Sequence, residues 1–204
     1  MSKVQVDTID TRSGTSTMQI GSTNTSTINI GVSGDTVNIP SGVTIANAGT
    51  ATGFGGANTP AFEAWSTSDQ AVNDNTTTKV QCGTEVYDTA SAYDNSSNYR
   101  FTPQTAGRYF CYGQTFIETS SPSRITSATA YIYKNGSVLG ANQNKFSDNQ
   151  IQQFNVTVST VINFNGSSDY IELYAYFDGN NFNGTITGQS TYRRTMFGAY
   201  KIII

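Results

Sequence analysis

Two hydrophobic rhythms divide the chain. Between residues 18 and 53, apolar positions come as short alternating triplets: Met18-Gln19-Ile20, Ile28-Asn29-Ile30, Val37-Asn38-Ile39 and Val43-Thr44-Ile45. A period of two marks a strand whose side chains point to opposite faces, so each triplet predicts a miniature β-strand. The connecting segments GSTNTST, GVSGDT and PSG carry the Gly, Asn, Asp and Pro that turns require. This near-regular spacing predicts a β-repeat. Met18, Ile20, Ile28, Ile30, Val37, Ile39, Val43 and Ile45 form its candidate core, which in one copy is too small to offset the entropy of ordering the segment. The expected architecture is therefore a trimeric β-repeat shaft over residues 18–53, triple-stranded and β-helix-like. A disordered Ser/Thr-rich arm is the alternative, and the regular alternation argues against it. Residues 1–17, with Val4, Val6 and Ile9 beside charges, are a candidate attachment segment.

After a hinge at 54–58 the rhythm lengthens. Strand-like runs occur at 61–65, 79–87, 99–102, 107–118, 126–134, 151–163, 170–177 and 195–204, and no stretch has a helical period. Residues 59–204 thus predict an all-β domain, a two-sheet jelly-roll β-sandwich head. Asn135-Gly136, between Tyr131–Lys134 and Ser137–Leu139, predicts a type I′ hairpin, because both central residues of that turn need positive φ. In Tyr170–Asp178, Ile171, Leu173, Ala175 and Phe177 form a core face, opposite Tyr170, Glu172, Tyr174 and Tyr176. Tyr170, Tyr174 and Tyr176 are read as trimer contacts, with a ligand site as the alternative, since aromatic stripes serve both. Phe197 and the terminal Ile202, Ile203 and Ile204 join the predicted interface. An exposed apolar end strand is a sticky edge that a partner subunit would cover.

Composition sharpens this division. Every aromatic residue lies at or after Phe54, so the first segment can bury only aliphatic side chains. Charged residues make up 12% of the chain, against about 25% in ordinary soluble domains. Ser, Thr, Asn and Gly supply the polar surface, as suits an extracellular or virion-exposed β protein. The net charge is -3, and the densest basic feature is Arg193-Arg194, which excludes binding to nucleic acid by phosphate neutralisation. No run approaches the roughly 18 apolar residues of a membrane span, and the N-terminus lacks the apolar stretch of an export signal. Synthesis in a cytoplasm without a signal peptide is the expectation.

The chain offers little chemistry. Histidine is absent, which removes imidazole acid–base catalysis and the common zinc spacings. Cys82 and Cys111 sit in strand-like runs, either as buried thiols or as a disulfide. Asp169, Glu172 and Asp178 are the nearest carboxylates, but Glu172 and Asp178 would lie about 20 Å apart along an extended strand, too far for a glycosidase pair. Serines lack a basic partner, and no phosphate-binding glycine loop occurs. No enzyme activity, catalytic residue, cofactor or metal is expected from the residues themselves.

The segments TPAFEAW (59–65), YRFTPQTAGRYFCYGQTF (99–116), AYIYKNGSVLG (130–140), NGSSDYIELYAYFDG (165–179) and TMFGAYKI (195–202) stand in an order that resembles the globular head of the complement C-one-q family. That family shares its jelly roll with tumour necrosis factor-like ligands. Ala61-Phe62 looks like the opening strand, Phe101 with Gly107 and Tyr109 like its aromatic signature, Asn135-Gly136 like its hairpin, Gly166 to Asp169 like its Gly-Asp turn, and Phe197-Gly198 like its last strand. Cys111 departs from the pattern, where a second aromatic is usual, and no collagen stalk precedes the head. The resemblance implies a homotrimer with its last strand near the threefold axis, and allows calcium on loop oxygens, for which Asp74, Asp88, Asp94 and Asp148 are candidates. The I-x-I-G shaft resembles β-repeat fibres of tailed-bacteriophage virions, especially those of marine cyanobacterial phages. Together these imply a virion protein: a tail fibre or short receptor-binding fibre, attached through its N-terminal segment to other virion proteins, whose head contacts a host glycan or protein. A capsid or tail decoration or joint protein is the alternative.

Overall fold

The computed structural model describes residues 20, 26–46 and 58–202, and the chain divides into two units, 1–51 and 52–204. In the first unit the expected turns form at 32–35 and 40–43. Val32 O accepts from Asp35 N at 3.0 Å while Asp35 Oδ2 accepts from Val32 N at 2.9 Å, and Pro40 O accepts from Val43 N at 3.2 Å. Among the described residues, the triplets at 28–30, 37–39 and 43–45 carry no strand pairing. Ile20, Ile28, Ile30, Val32, Val37, Ile39, Val43 and Ile45 are all 45% to 78% exposed. Met18, the 1–17 segment, all of the 54–58 hinge except Asn58, and Ile203 and Ile204 lie outside the described residues.

The described residues of the second unit are all-β, with no helix. Thirteen strands run β1 (Ala61–Trp65), β2 (Gln70–Val72), β3 (Thr78–Lys79), β4 (Thr84–Asp88), β5 (Tyr93–Asp94), β6 (Arg100–Phe101), β7 (Gly107–Thr119), β8 (Ser127–Lys134), β9 (Ser137–Lys145), β10 (Gln153–Phe164), β11 (Ile171–Asp178), β12 (Gly184–Ile186) and β13 (Met196–Lys201). They make a seven-stranded sheet and a six-stranded sheet. Eight strands form the frame: β1, β6, β7, β8, β9, β10, β11 and β13. Within it the first pairs with the last (β1 with β13), the second with the seventh (β6 with β11), the third with the sixth (β7 with β10) and the fourth with the fifth (β8 with β9), every pair antiparallel. That nested pairing is a folded-over ribbon, the jelly-roll order.

β7 is the spine of the seven-stranded sheet. One edge pairs with β10 from Gly107 to Glu118, and the other pairs with β13 from Tyr109 to Gln114 and with β12 from Ile117 to Thr119. Its residues alternate strictly, with Tyr109, Cys111, Gly113, Thr115, Ile117 and Thr119 buried. The facing sheet contributes Ala128, Ala130, Ile132, Ile171, Leu173, Ala175 and Phe177, all buried. An aromatic cluster fills one end of the sandwich: Phe62 stacks on Tyr93 and Phe101 at 4.5 Å each and meets Phe197 edge-on at 5.1 Å, while Tyr109 meets Phe164 at 4.9 Å. Phe62, Phe101, Tyr109 and Phe197, four residues of the signature quoted above, therefore serve the core. Phe197 is corrected from an interface residue to a core residue: β13 alternates, and residue 197 points inward with Thr195 and Ala199.

The run 79–87 is not one strand. It breaks into β3 on the six-stranded sheet and β4 on the other, and between them Val80 and Cys82 stay buried as the chain crosses. Both cysteines are free and buried, and burial pushes the Cys111 thiol up to about 12. The Asn135-Gly136 hairpin forms with φ of 51° and 78°. Glycine at the second position avoids a left-handed backbone cost of roughly 1–2 kcal/mol that a side chain would incur.

Asp169 clasps this hairpin to the 165–170 turn. Its carboxylate meets Lys134 Nζ at 2.8 Å and accepts from Asn135 Nδ2 at 2.8 Å and from Asn165 N at 2.9 Å. The Lys134 and Asn135 donors hold the Asp169 carboxyl down at about 2. A lowered folded-state value means that the clasp contributes fully above about pH 4, the unfolded value, and fades as pH falls through about 2. Urea unfolding across pH should find the wild type more stable than Asp169→Asn above about pH 5, with the gap closing toward pH 2. A gap unchanged at pH 2 would contradict the clasp.

Candidate functional site: two aromatic faces

Strand alternation leaves each sheet an outward face, and both carry aromatics. On the seven-stranded sheet, register aligns outward residues in rows. Tyr87, Glu63, Gly198, Tyr112 and Ser159 make one row; Trp65, Met196, Gln114 and Thr157 a second; Ala61, Tyr200, Phe110 and Val161 a third. Phe110 lies 6.0 Å from Tyr112 and 5.6 Å from Tyr200. Gly198 is required at the centre of the first row, because a Cβ there would strike the Tyr112 ring.

A single polar network runs through this face. Glu63, largely buried, accepts from Tyr112 Oη at 2.7 Å and from Arg193 Nη1 at 2.6 Å. Burial and the Glu63 carboxylate push the Tyr112 phenol well above its usual value. The Arg194 guanidinium sits over Phe116 at 4.6 Å. The β10 margin is mainly polar, with Asn155, Thr157, Ser159 and Asn163 exposed beside Val161.

The six-stranded sheet presents tyrosines instead. β11 separates as its sequence predicts, with Ile171, Leu173, Ala175 and Phe177 inward. Tyr174 pairs across to Tyr131, and Tyr176 to Thr129. The Tyr133 and Tyr174 rings lie 4.2 Å apart, and the Arg100 guanidinium covers Tyr170 at 4.7 Å. Glu172 also points outward yet is buried, held by Lys79 Nζ at 2.6 Å. The predicted contacts Tyr170, Tyr174 and Tyr176 therefore share one face, while Ile202, half-buried beyond β13, belongs to the other sheet and donates its N–H to Arg108 O at 2.8 Å.

The candidate calcium residues do not converge. Asp88 accepts from the backbone of Ala90 and Tyr93, Asp94 from Ser96, Ser97 and Asn98, and Asp74 from Gly179 and Asn181. Each of these three carboxylates thus closes its own loop or ties two together, and Asp148 stands exposed on the connection after β9. Among the described residues no three His, Cys, Asp or Glu side chains are grouped to hold a metal. Asp169 and Glu172, considered as carboxylate chemistry, are each taken up by a lysine.

The sequence reading missed the first face. Its members Trp65, Phe110, Tyr112, Met196 and Tyr200 come from three strands that are distant in the chain, and only register brings them together. One signal was legible: in β7, Phe110, Tyr112 and Phe116 alternate against the buried Tyr109, Cys111 and Ile117, giving a strand apolar on both faces.

No protein-family model matches the sequence, and no curated protein sequence matches it. Solved structures similar to it include the tumour necrosis factor Eiger of S. frugiperda (9% identity, TM-score 0.49, covering 70% of this chain and 91% of that one). Another is the globular domain of the zebrafish complement 1qA protein (11%, 0.49, 70% and 97%), and a third is murine APRIL (13%, 0.48, 70% and 98%). The jelly-roll assignment rests on the strand pairing described above.

Lys79 neutralises a buried carboxylate, so Lys79→Met should cost about 2 kcal/mol in chemical denaturation, less than a fully buried pair because Lys79 is partly exposed. Adding Glu172→Gln should recover at least half of the loss. Equal stability of Lys79→Met and wild type would show that Glu172 needs no partner.

Proposed function

We propose that the chain is a non-enzymatic structural protein of a tailed-bacteriophage virion, a homotrimeric fibre whose head contacts the host surface. The observation that carries the reading is the aliphatic repeat of the first unit. Eight Val and Ile side chains stand 45% to 78% exposed in one chain, on a segment that turns at the expected places and makes no ladder among its described residues. Burying them is worth on the order of 10 kcal/mol per chain, and further copies of the chain would supply that burial and the missing strand partners. The virion assignment follows from the resemblance of this repeat to phage fibre shafts.

The head supports the same reading and changes which residues are proposed to make it. The outward face of the seven-stranded sheet has Trp65, Phe110, Tyr112, Met196 and Tyr200 at its centre and exposed polar residues along β10, the arrangement of an interface core with a polar rim. The tyrosine face of the other sheet carries hydroxyls and charged groups, among them Glu172 paired with Lys79. We assign self-association to the first face and leave Tyr170, Tyr174 and Tyr176 outside the subunit contacts.

Virions lacking this chain should stay intact and keep their DNA but adsorb to host cells at a small fraction of the normal rate. Particles that fall apart, with survivors adsorbing normally, would instead establish the decoration or joint role. Intact particles with normal adsorption would overturn the fibre reading.

A further inference from the structure

Where β8, β9 and β11 run side by side, the outward face of the six-stranded sheet dips. Thr129 and Ser127 are short, and taller neighbours flank them: register places Thr129 between Gln143 and Tyr176, and Ser127 between Lys145 and Asp178. The result is a cleft of about 330 Å³ lined by Thr126, Ser127, Gln143, Lys145, Ser147, Tyr176 and Asp178.

Several of its polar groups are free for a ligand, while the Thr126 hydroxyl is engaged, donating to Asp178 O at 3.2 Å. Among the described residues the side chains of Ser127, Gln143, Lys145 and Ser147 make no hydrogen bond, and Lys145 joins no ion pair. Asp178 uses one carboxylate oxygen, accepting from Asn180 N at 2.9 Å. Tyr176 is held in place by its own hydroxyl, which donates to Asn75 Oδ1 at 2.7 Å, so its ring is a fixed wall. The tyrosines beyond it, Tyr131, Tyr133 and Tyr174, extend the aromatic surface along the sheet.

We propose that this cleft binds a neutral saccharide unit, a proposal that rests on the reading of the head as the host-contacting domain. A sugar ring has an apolar face of C–H groups that lies on an aromatic ring, and a rim of hydroxyls that both donate and accept. The cleft offers that combination: the Tyr176 ring, an ammonium and an amide that donate, a carboxylate and an amide oxygen that accept, and hydroxyls that do both. Lys145 and Asp178 cancel in charge, so the site has no net field to favour an anion such as a phosphate or a sulfated sugar. The cleft volume lies at the lower end of the range for small-ligand sites, which suits one or two rings rather than a long chain.

The test uses the full chain and a set of neutral gluco-, manno- and galacto-oligosaccharides, with sulfated forms as controls, scored by calorimetry and by competition for host-cell binding. Wild type should bind at least one neutral oligosaccharide, and that sugar should displace it from cells. Gln143→Ala and Lys145→Ala, both on exposed positions, should leave the melting temperature unchanged and weaken sugar binding at least tenfold, and Tyr176→Ala should do the same or more. Cell binding that no neutral sugar displaces and that survives all three substitutions would overturn the saccharide site while leaving host contact standing. Sugar binding without cell binding would uphold the site and overturn host contact. Binding confined to sulfated forms, or to neither sugars nor cells, would overturn the proposal.

Discussion

The head depends on the two-residue alternation of β7 held in register on both edges. Over thirteen residues this strand sends every second side chain into the sandwich, and β10 pairs with it almost end to end. Slipping the pairing by one residue would turn Tyr109, Cys111 and Ile117 outward and bring Arg108, Gln114 and Glu118 into the core. Gly113 marks how close the sheets come, since a Cβ there would drive into Leu173 of the facing sheet. The nested antiparallel pairing around β7 then leaves the chain with two outward faces of different character.

Those faces differ in what covering them with another molecule would cost. The face built on β7, β13 and β1 is rich in large apolar rings, with one polar network centred on Glu63, and would lose water at low cost if another subunit covered it. The tyrosine face keeps its hydroxyls, pairs Glu172 with Lys79 and, among the described residues, leaves Lys145 without an ion pair, so it can stay in water and still offer flat rings. The first unit shows unburied apolar surface more directly, because eight of its described aliphatic side chains stand 45% to 78% exposed.

Much of the sandwich was legible in the sequence. β1, β7, β8, β10 and β11 follow from alternation, and the Asn135-Gly136 hairpin from its demand for positive φ. What alternation cannot supply is the sheet to which a strand belongs. The 79–87 run reads as a single strand because Val80 and Cys82 keep the in-out pattern while the backbone leaves one sheet for the other. β2 and β12 are three residues each, too short to show a period. Among candidate site residues, the tyrosine stripe of β11 could be read because it lies on one strand. The face around Tyr112 could not, since it exists only once β1, β7 and β13 are paired. Phe197 was placed on the wrong side for the same reason: its parity is set by Ala199 and Thr195, which are small or polar residues that happen to be buried.

The central claim is that this chain completes its core only with copies of itself. Light scattering on the full-length chain after size-exclusion chromatography measures this directly. The account predicts a single species of about 66 kDa, three times the 21.9 kDa chain. A stable monomer at 21.9 kDa would contradict it.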